Sequence, residues 1–253
     1  MARAPLSAVV TTLDNGATLA ACLASLAFCD ELVVLDSGSS DDTAAIAHAH
    51  GARWFVESFR GYGAQKQSAV DKASHDWVLL LDADEELAPG CRERIEAALD
   101  APGADGFRLA RREWLFWRWP HHATRPNWHL RLFRRSRGGL NDVPVHAAPE
   151  VRGVVRDLDA EFLHHGESSL AVKVDKINRY STGMTAHKRA AAPPLLGLRL
   201  VLYPPLAFLR FYVGQRYFLN GWAGYIAARS MAFYAFLKYA KVLEAQRRSG
   251  AGH

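Results

Sequence analysis

Four short apolar runs in the first hundred residues, each followed by a stretch with helical spacing, constrain this chain more than any other feature. They are LSAVVTT at 6–12, ELVVLD at 31–36, ARWFV at 52–56 and WVLLL at 77–81. Between the first two, Leu19, Cys22, Leu23 and Leu26 recur at i, i+3, i+4 and i+7, which predicts a helix with one buried face. After the second, SGSSDDTAAIAHAHG supplies a turn, Ser and Asp residues suited to capping, an Ala-rich helix and Gly51 as its stop. GYGAQKQSAVDKAS reads as a loop entering a helix, and PGCRERIEAALDA as a helix with Ile95 and Leu99 inward. Strands alternating with helices predict an α/β fold: a parallel, doubly wound sheet whose continuous apolar strands are covered on both faces.

Open sheets of this kind bind ligands outside the carboxyl ends of their strands, where the strand order reverses. Three polar clusters fall at strand ends: Thr11 to Asn15, Asp36 to Asp42, and Asp82 to Glu86. The last stands in WVLLLDADEEL, where an apolar run stops at four acids. Taken alone, such a cluster is most often the first solvated turn after a strand. No GxGxxG follows the first strand and no P-loop pattern occurs, so neither phosphate cradle of backbone amides is encoded. A cation held by carboxylates is the remaining device. Magnesium or manganese, which fill their other positions with water and substrate phosphates, suit a short acidic cluster better than zinc. If the strand continues, Asp82 and Asp84 point to one side about 6.6 Å apart, so one can serve ribose hydroxyls while the other ligates the ion.

The totals narrow the setting. With 253 residues, 49% of them hydrophobic, the chain can bury an ordinary core in one large domain or in a domain plus an appendage. Three cysteines without a CxxC pair fit a reducing compartment, and the N-terminal apolar run is too short for a signal peptide. Residues 1–100 carry 7 Lys+Arg against 16 Asp+Glu, whereas residues 101–253 carry 24 against 10. An acidic half and a basic half imply different partners.

In this order and at these spacings, VVTTLDN, VVLDSGSSDDT, GYGAQKQSA and WVLLLDADEEL resemble the nucleotide-sugar-binding half of family 2 inverting glycosyltransferases. NWHLRLFRR, NDVPVH, the His pair at 164–165, NRYST and AFYAFLKYAKVLE are similar to pieces of the bacterial lipopolysaccharide core glucosyl- and heptosyltransferases, so the resemblance covers nearly the whole chain. It implies a GT-A-like nucleotide-sugar-binding sheet, a UDP-sugar or ADP-heptose donor, a divalent cation and a lipid-linked sugar acceptor. Thr12 and Asp36 then line the nucleoside site, with Asp36 facing the base. Ser39 and Asp42 hold that loop at its helix start, Lys66 lies near the diphosphate or ribose, Asp82 meets the ribose, and Asp84 ligates the metal. Arg131 of LRLF is a further cation for the departing diphosphate.

Two positions depart from the pattern. Asn15 is followed by Gly16 where the family has Asn-Glu, and Asp14 is the neighbouring substitute. Val145, His146 and Ala147 stand where the subgroup has Val-His-Glu, so the acid expected there is absent. An inverting transfer needs a base for the acceptor proton. Asp142 and Glu150 are the nearest acids, with His146 orienting that loop or acting as base itself.

The chain divides by pattern into a nucleotide-sugar-binding half at 1–106, an acceptor-binding half at 107–180 and C-terminal helices at 181–253. Arg108 to Arg137 holds nine arginines, one acid and six Trp or Phe residues, a surface for phosphorylated sugars. Single-stranded nucleic acid uses the same residue types, but it would leave the nucleotide-sugar clusters without a role and is not expected. The histidines at 121, 122, 164 and 165 follow no zinc pattern. Residues 193–244 form a basic, aromatic helical segment whose longest uncharged run, Tyr217 to Ala228, has 12 residues, too few to span a bilayer. Prolines at 193, 194, 204 and 205 should break it into pieces. Its composition predicts helices lying on an anionic membrane surface, the rival being packing against the first domain or against a second copy in a homo-oligomer. The expected setting is cytoplasmic and peripheral, on the inner face of the inner membrane. A non-catalytic carbohydrate-binding or scaffold protein on the same fold is the alternative that the missing acid after His146 keeps open.

Overall fold

The computed structural model describes residues 3–100, 103–141, 147–166, 169–190 and 195–250. Two compact units divide the chain, residues 1–112 with 127–165 and residues 113–126 with 166–253.

The first unit begins with β1 (Leu6–Thr12), α1 (Leu19–Ser25), β2 (Glu31–Asp36), α2 (Thr43–Ala49), β3 (Arg53–Val56), α3 (Tyr62–Asp71) and β4 (Trp77–Asp82). It continues with β5 (Glu85–Leu87), α4 (Cys91–Asp100), β6 (Gly106–Glu113), β7 (Asn127–Arg134), β8 (Gly138–Leu140), β9 (Pro149–Val151) and β10 (Val155–His164). One eight-stranded sheet has the order β3-β2-β1-β4-β7-β6-β10-β5, and β8 and β9 form a separate ribbon. The four strands foreseen from the apolar runs are parallel to one another. Beyond β4 the sheet is extended by antiparallel pairing, β7 against both β4 and β6, and β10 against β5.

Strand alternation sorts the core into two layers. Ala8, Val10, Val34, Leu79 and Leu81 pack with Leu19, Leu23, Ala47, Ile95 and Leu99, so α1, α2 and α4 cover one face. Val9, Val33, Leu35, Val78 and Leu80 pack with Ala69 and Val70 of α3 on the other. Both faces being dry is why these strands read as continuous apolar runs.

A carboxylate fastens the opposite, amino-terminal end of the sheet. Glu31 accepts from Ser7 Oγ at 2.5 Å, from Ser74 N–H at 2.8 Å, from Ser74 Oγ at 2.7 Å and from the Arg53 guanidinium. Burial alone would raise its pKa, but these hydrogen bonds pull it from 4.5 to about 2. A depressed carboxyl stabilises the fold above its unfolded pKa and loses that contribution as pH falls through the folded one, roughly 3 kcal/mol here. Urea denaturation at successive pH values below about 4.5 should show the steep acid limb expected of such a group, and Glu31→Gln should flatten it. An unchanged limb in the variant would assign the acid sensitivity to another carboxylate.

In the second unit are α5 (Leu170–Ala190), α6 (Leu196–Leu209) and α7 (Gly221–Gly250). A π-helical turn at Arg210–Gly214 continues α6, and a 3-10 turn at Tyr217–Asn220 precedes α7. Lys241 of α7 donates to Asn178 and Thr182 of α5 at 2.7–2.8 Å. Residues 113–126 join through Leu115, which is buried with Tyr217, Ala223, Ala227 and Ala228. His121 N–H also donates to Asn220 Oδ1 at 2.6 Å. Of the expected breaks, Pro193 and Pro194 lie outside the described residues, and the break at Pro204 and Pro205 does not occur, both lying inside α6. Stacking of Tyr203 on Tyr239 and edge contact of Phe208 with Tyr225 brace the helix on either side of the two missing amide donors. Leu196–Gly214 is accordingly long and apolar enough to cross a membrane by length and composition, with 6% of that stretch buried.

Candidate active site

Parallel register brings three strand ends within one residue of one another. Thr12 pairs with Asp36 and Thr11 with Asp82 across adjacent ladders. β1 lies between β2 and β4, where successive connections leave to opposite sides, and this is the switch point at which open sheets bind ligands.

Asp36 is buried and gripped by its own loop. Gly38 and Ser39 N–H donate to Oδ2 at 2.8 and 2.7 Å, and Ser39 Oγ donates to Oδ1 at 2.5 Å. Gly38 permits the turn at φ 103°, a conformation side chains disfavour. Ser39 Oγ also accepts from Asp14 N–H at 2.8 Å, and Asp14 Oδ1 accepts from Ser40 N–H at 2.8 Å, lacing the loops after β1 and β2 together. Thr12 is buried, and its hydroxyl donates to Asn15 Oδ1 at 3.1 Å.

The start of α2 is held differently from expectation. Asp41, not Asp42, accepts from Thr43 N–H at 3.1 Å and from the Thr43 hydroxyl, and its other oxygen accepts from Gly16 N–H at 2.9 Å. Asp42 makes no side-chain cap bond. Its Oδ1 lies 1.9 Å from where a Cβ on Gly16 would stand, so the departure at Gly16 has a steric counterpart: the Asp42 carboxylate occupies the space a side chain there would need.

The acidic triplet separates. β4 ends at Asp82 and the chain turns through Ala83 and Asp84, so the extended spacing assumed for the two aspartates does not hold. The chain makes this turn to enter β5 at the far edge of the sheet. Asp82 is half-buried, with Lys66 Nζ of α3 2.5 Å from Oδ1 and the Arg131 guanidinium of β7 3.6 Å from Oδ2. Burial alone would push the Asp82 carboxyl up, but Lys66 and Arg131 hold it well below the usual carboxylate range. Arg131 is itself buried and committed mainly to Glu85, at 2.6 Å, with its guanidinium 4.9 Å from the Phe162 ring centroid.

Asp84 has other partners. Its Oδ2 is 3.3 Å from Nε2 of His164, the buried last residue of β10, and its carbonyl accepts from His165 N–H at 3.1 Å. Arg111 of β6 donates to His164 Nδ1 at 2.8 Å and fixes the ring. Neither His164 nor Glu85 was singled out as a site residue from sequence. Glu85 alternates with exposed-side Glu86 along EEL, so only a two-residue period marks it as inward. His164 becomes visible only when β10 is brought beside β5.

A divalent cation fits this donor set. Asp84 offers an anionic oxygen, while His164 Nε2, which carries the ring proton because Nδ1 accepts from Arg111, would add a nitrogen only on giving up that proton; no group of three or more His, Cys, Asp or Glu suited to a metal occurs among the described residues. Two protein donors leave most positions to a diphosphate and water, and an imidazole in the set favours manganese over magnesium.

Of the three candidate bases, Asp142 and His146 lie outside the described residues. Glu150 is exposed on β9, its Oε1 accepting from Asn141 Nδ2 at 2.9 Å. The β8–β9 ribbon carrying it is tied to α3, the helix of Lys66, by Leu140 N–H donating to Gln67 Oε1 at 2.8 Å.

Comparison with known proteins adds to this geometry. The family described as glycosyl transferase family 2 matches residues 7–159. The lipopolysaccharide core biosynthesis glycosyltransferase LpsC of Rhizobium meliloti (strain 1021) is 33% identical over 249 residues, which cover 95% of this chain and 92% of that protein. A glycosyltransferase of Rickettsia felis is 27% identical over 96% of this chain and 91% of its own length. Glucosyl-3-phosphoglycerate synthase from Mycobacterium tuberculosis, solved with Mn2+, UDP and glucosyl-3-phosphoglycerate, is 28% identical over 43% of this chain and 44% of that one, with a TM-score of 0.38.

Proposed function

This chain belongs to glycosyltransferase family 2, and on that premise we propose that it moves a sugar from a nucleotide donor to a sugar, a heptose, of a lipid-linked lipopolysaccharide core acceptor, with inversion. The observation that carries the reading is the placement of Asp36 and Asp82 at the carboxyl ends of β2 and β4, on either side of β1, with Lys66 2.5 Å from Asp82. The 33% identity to LpsC along nearly the whole chain supports the class of acceptor.

Each residue has a task in this scheme. Asp36 keeps one acceptor position on Oδ1 for an N–H of the base, since its loop takes the other three. Asp82, held ionised, accepts from ribose hydroxyls. Lys66 stands between ribose and diphosphate and offsets negative charge there. Asp84, with His164 beside it, would hold magnesium or manganese, which would supply Lewis acidity for the leaving diphosphate. The acceptor hydroxyl loses its proton to Asp142, His146 or Glu150, assistance typically worth about 10² to 10⁴ in rate. The reaction is assigned to the cytoplasmic face of the inner membrane.

The test is transfer from UDP-glucose, other UDP-sugars and ADP-heptose to a heptose-terminated core lipid with Mn2+, the product's anomeric configuration being read by NMR. Inversion is expected. A protein that binds these sugars but cleaves no donor with any divalent cation is a carbohydrate-binding scaffold instead.

A further inference from the structure

We propose that the outward face of α6 is a docking surface for an anionic lipid bilayer, on which the helix lies flat rather than crossing. Leu198, Val201, Leu202, Leu206, Leu209 and Val213 are 46% to 68% exposed. Their spacing of three, four, eight, eleven and fifteen residues from the first puts them on a single helical stripe. The opposite side of α6 is already used: Leu196 and Leu200 pack with Tyr239 and Val242 of α7, and Phe208 meets Tyr225. The stripe therefore belongs to nothing in its own unit, and a contiguous apolar strip of this length marks a contact surface.

Charge selects the occupant. Between residues 176 and 243 there are ten Lys or Arg and no Asp or Glu. Arg199 and Arg210 are eleven residues apart, about three turns, and so line one edge of the stripe. Trp222, 76% exposed in the same unit, is the residue type that seats at the headgroup level. An apolar stripe with a cationic edge matches acyl chains below anionic headgroups. A second copy of the chain would bring the same positive charge to the contact.

Crossing is disfavoured by what α6 carries with it. Arg229 of α7 sits 5.7 Å from the Phe208 ring of α6, and Lys238 lies 5.2 Å from Tyr239, which stacks on Tyr203. A spanning α6 would draw both charges into hydrocarbon. Flat on the interface, the stripe is buried and those charges stay wet. Nothing in this inference depends on which sugar is transferred.

The test uses the full chain with vesicles of phosphatidylethanolamine and phosphatidylglycerol in a three-to-one mixture, against vesicles of phosphatidylcholine alone. Cosedimentation should favour the anionic vesicles by about tenfold or more, and alkaline carbonate should release the bound protein. The double variant Val201→Glu, Leu206→Glu should bind about tenfold less well with an unchanged circular dichroism spectrum. Should that variant misfold, Arg199→Gln with Arg210→Gln leaves the stripe intact and should erase the preference for anionic lipid. Three results overturn the proposal: variants that bind like the parent, resistance of the parent to carbonate, or light scattering that finds a dimer dissolved by Val201→Glu, Leu206→Glu. The first two concern only the lipid contact, so transfer to a soluble acceptor would still report separately on the enzyme.

Discussion

Asp84→Asn should lower kcat/KM for sugar transfer by about 10³-fold while leaving the urea midpoint nearly unchanged. The carboxylate is on a turn rather than in the core, so little packing is lost. What is lost is the anionic donor that, with His164, would fix a cation against the leaving diphosphate. A bound divalent ion contributes several kcal/mol of charge stabilisation, and each 1.36 kcal/mol is a decade in rate. Calorimetry with Mn2+ and UDP together should lose its cation-linked heat in the variant. A variant retaining transfer within about tenfold of the parent would move the cation site away from residue 84.

The second large effect is on stability. Glu85 and Arg131 are both buried and joined at 2.6 Å, and Glu85 Oε2 also accepts from Asp82 N–H at 3.0 Å. Arg131→Met leaves a carboxylate in the interior without its cation and should cost about 3 to 5 kcal/mol in urea denaturation at neutral pH. Burial already pushes the Glu85 carboxyl up, in spite of Arg131. A raised carboxyl binds its proton more tightly folded than unfolded, so its contribution is fully present below the unfolded pKa and is lost as pH rises through the folded one. The deficit of the variant should therefore shrink on acidification. Adding Glu85→Gln to Arg131→Met should restore much of the stability at neutral pH. A double variant as weak as the single one would mean that Arg131 acts through packing on Phe162 instead.

The parallel half of the sheet was legible because it is built from local signals: continuous apolar runs, helical spacing, and Gly51 at a helix end. The antiparallel extension was not, because pairings such as Leu79 with Leu132 join residues far apart in sequence. Thr12, Asp36 and Asp82 could be placed together since strand ends of one parallel sheet must converge. The roles of Glu85 and His164 are not legible for the opposite reason. Their importance lies in burial and in partners supplied by β7 and β10, which a single local window does not contain. The cap of α2 failed at the scale of one residue, Asp41 for Asp42, where neighbouring acids of equal propensity are separated only by which one reaches Thr43. The grouping of residues 113–126 with the C-terminal helices rests on long-range bonds such as Arg125 N–H to Gln215 C=O, which local pattern does not announce.

The alignment of three strand ends to within one residue has a consequence for how this protein tolerates change in length. Side chains alternate faces along a strand, so deleting one residue within β2 would shift Asp36 by a step and turn it toward the opposite layer. Insertions between α4 and β6, or beyond β3, leave the ladder untouched. Drift in chain length among descendants of this sequence should thus collect in such connections, while the residue counts of β1, β2 and β4 stay fixed by the pairing they share.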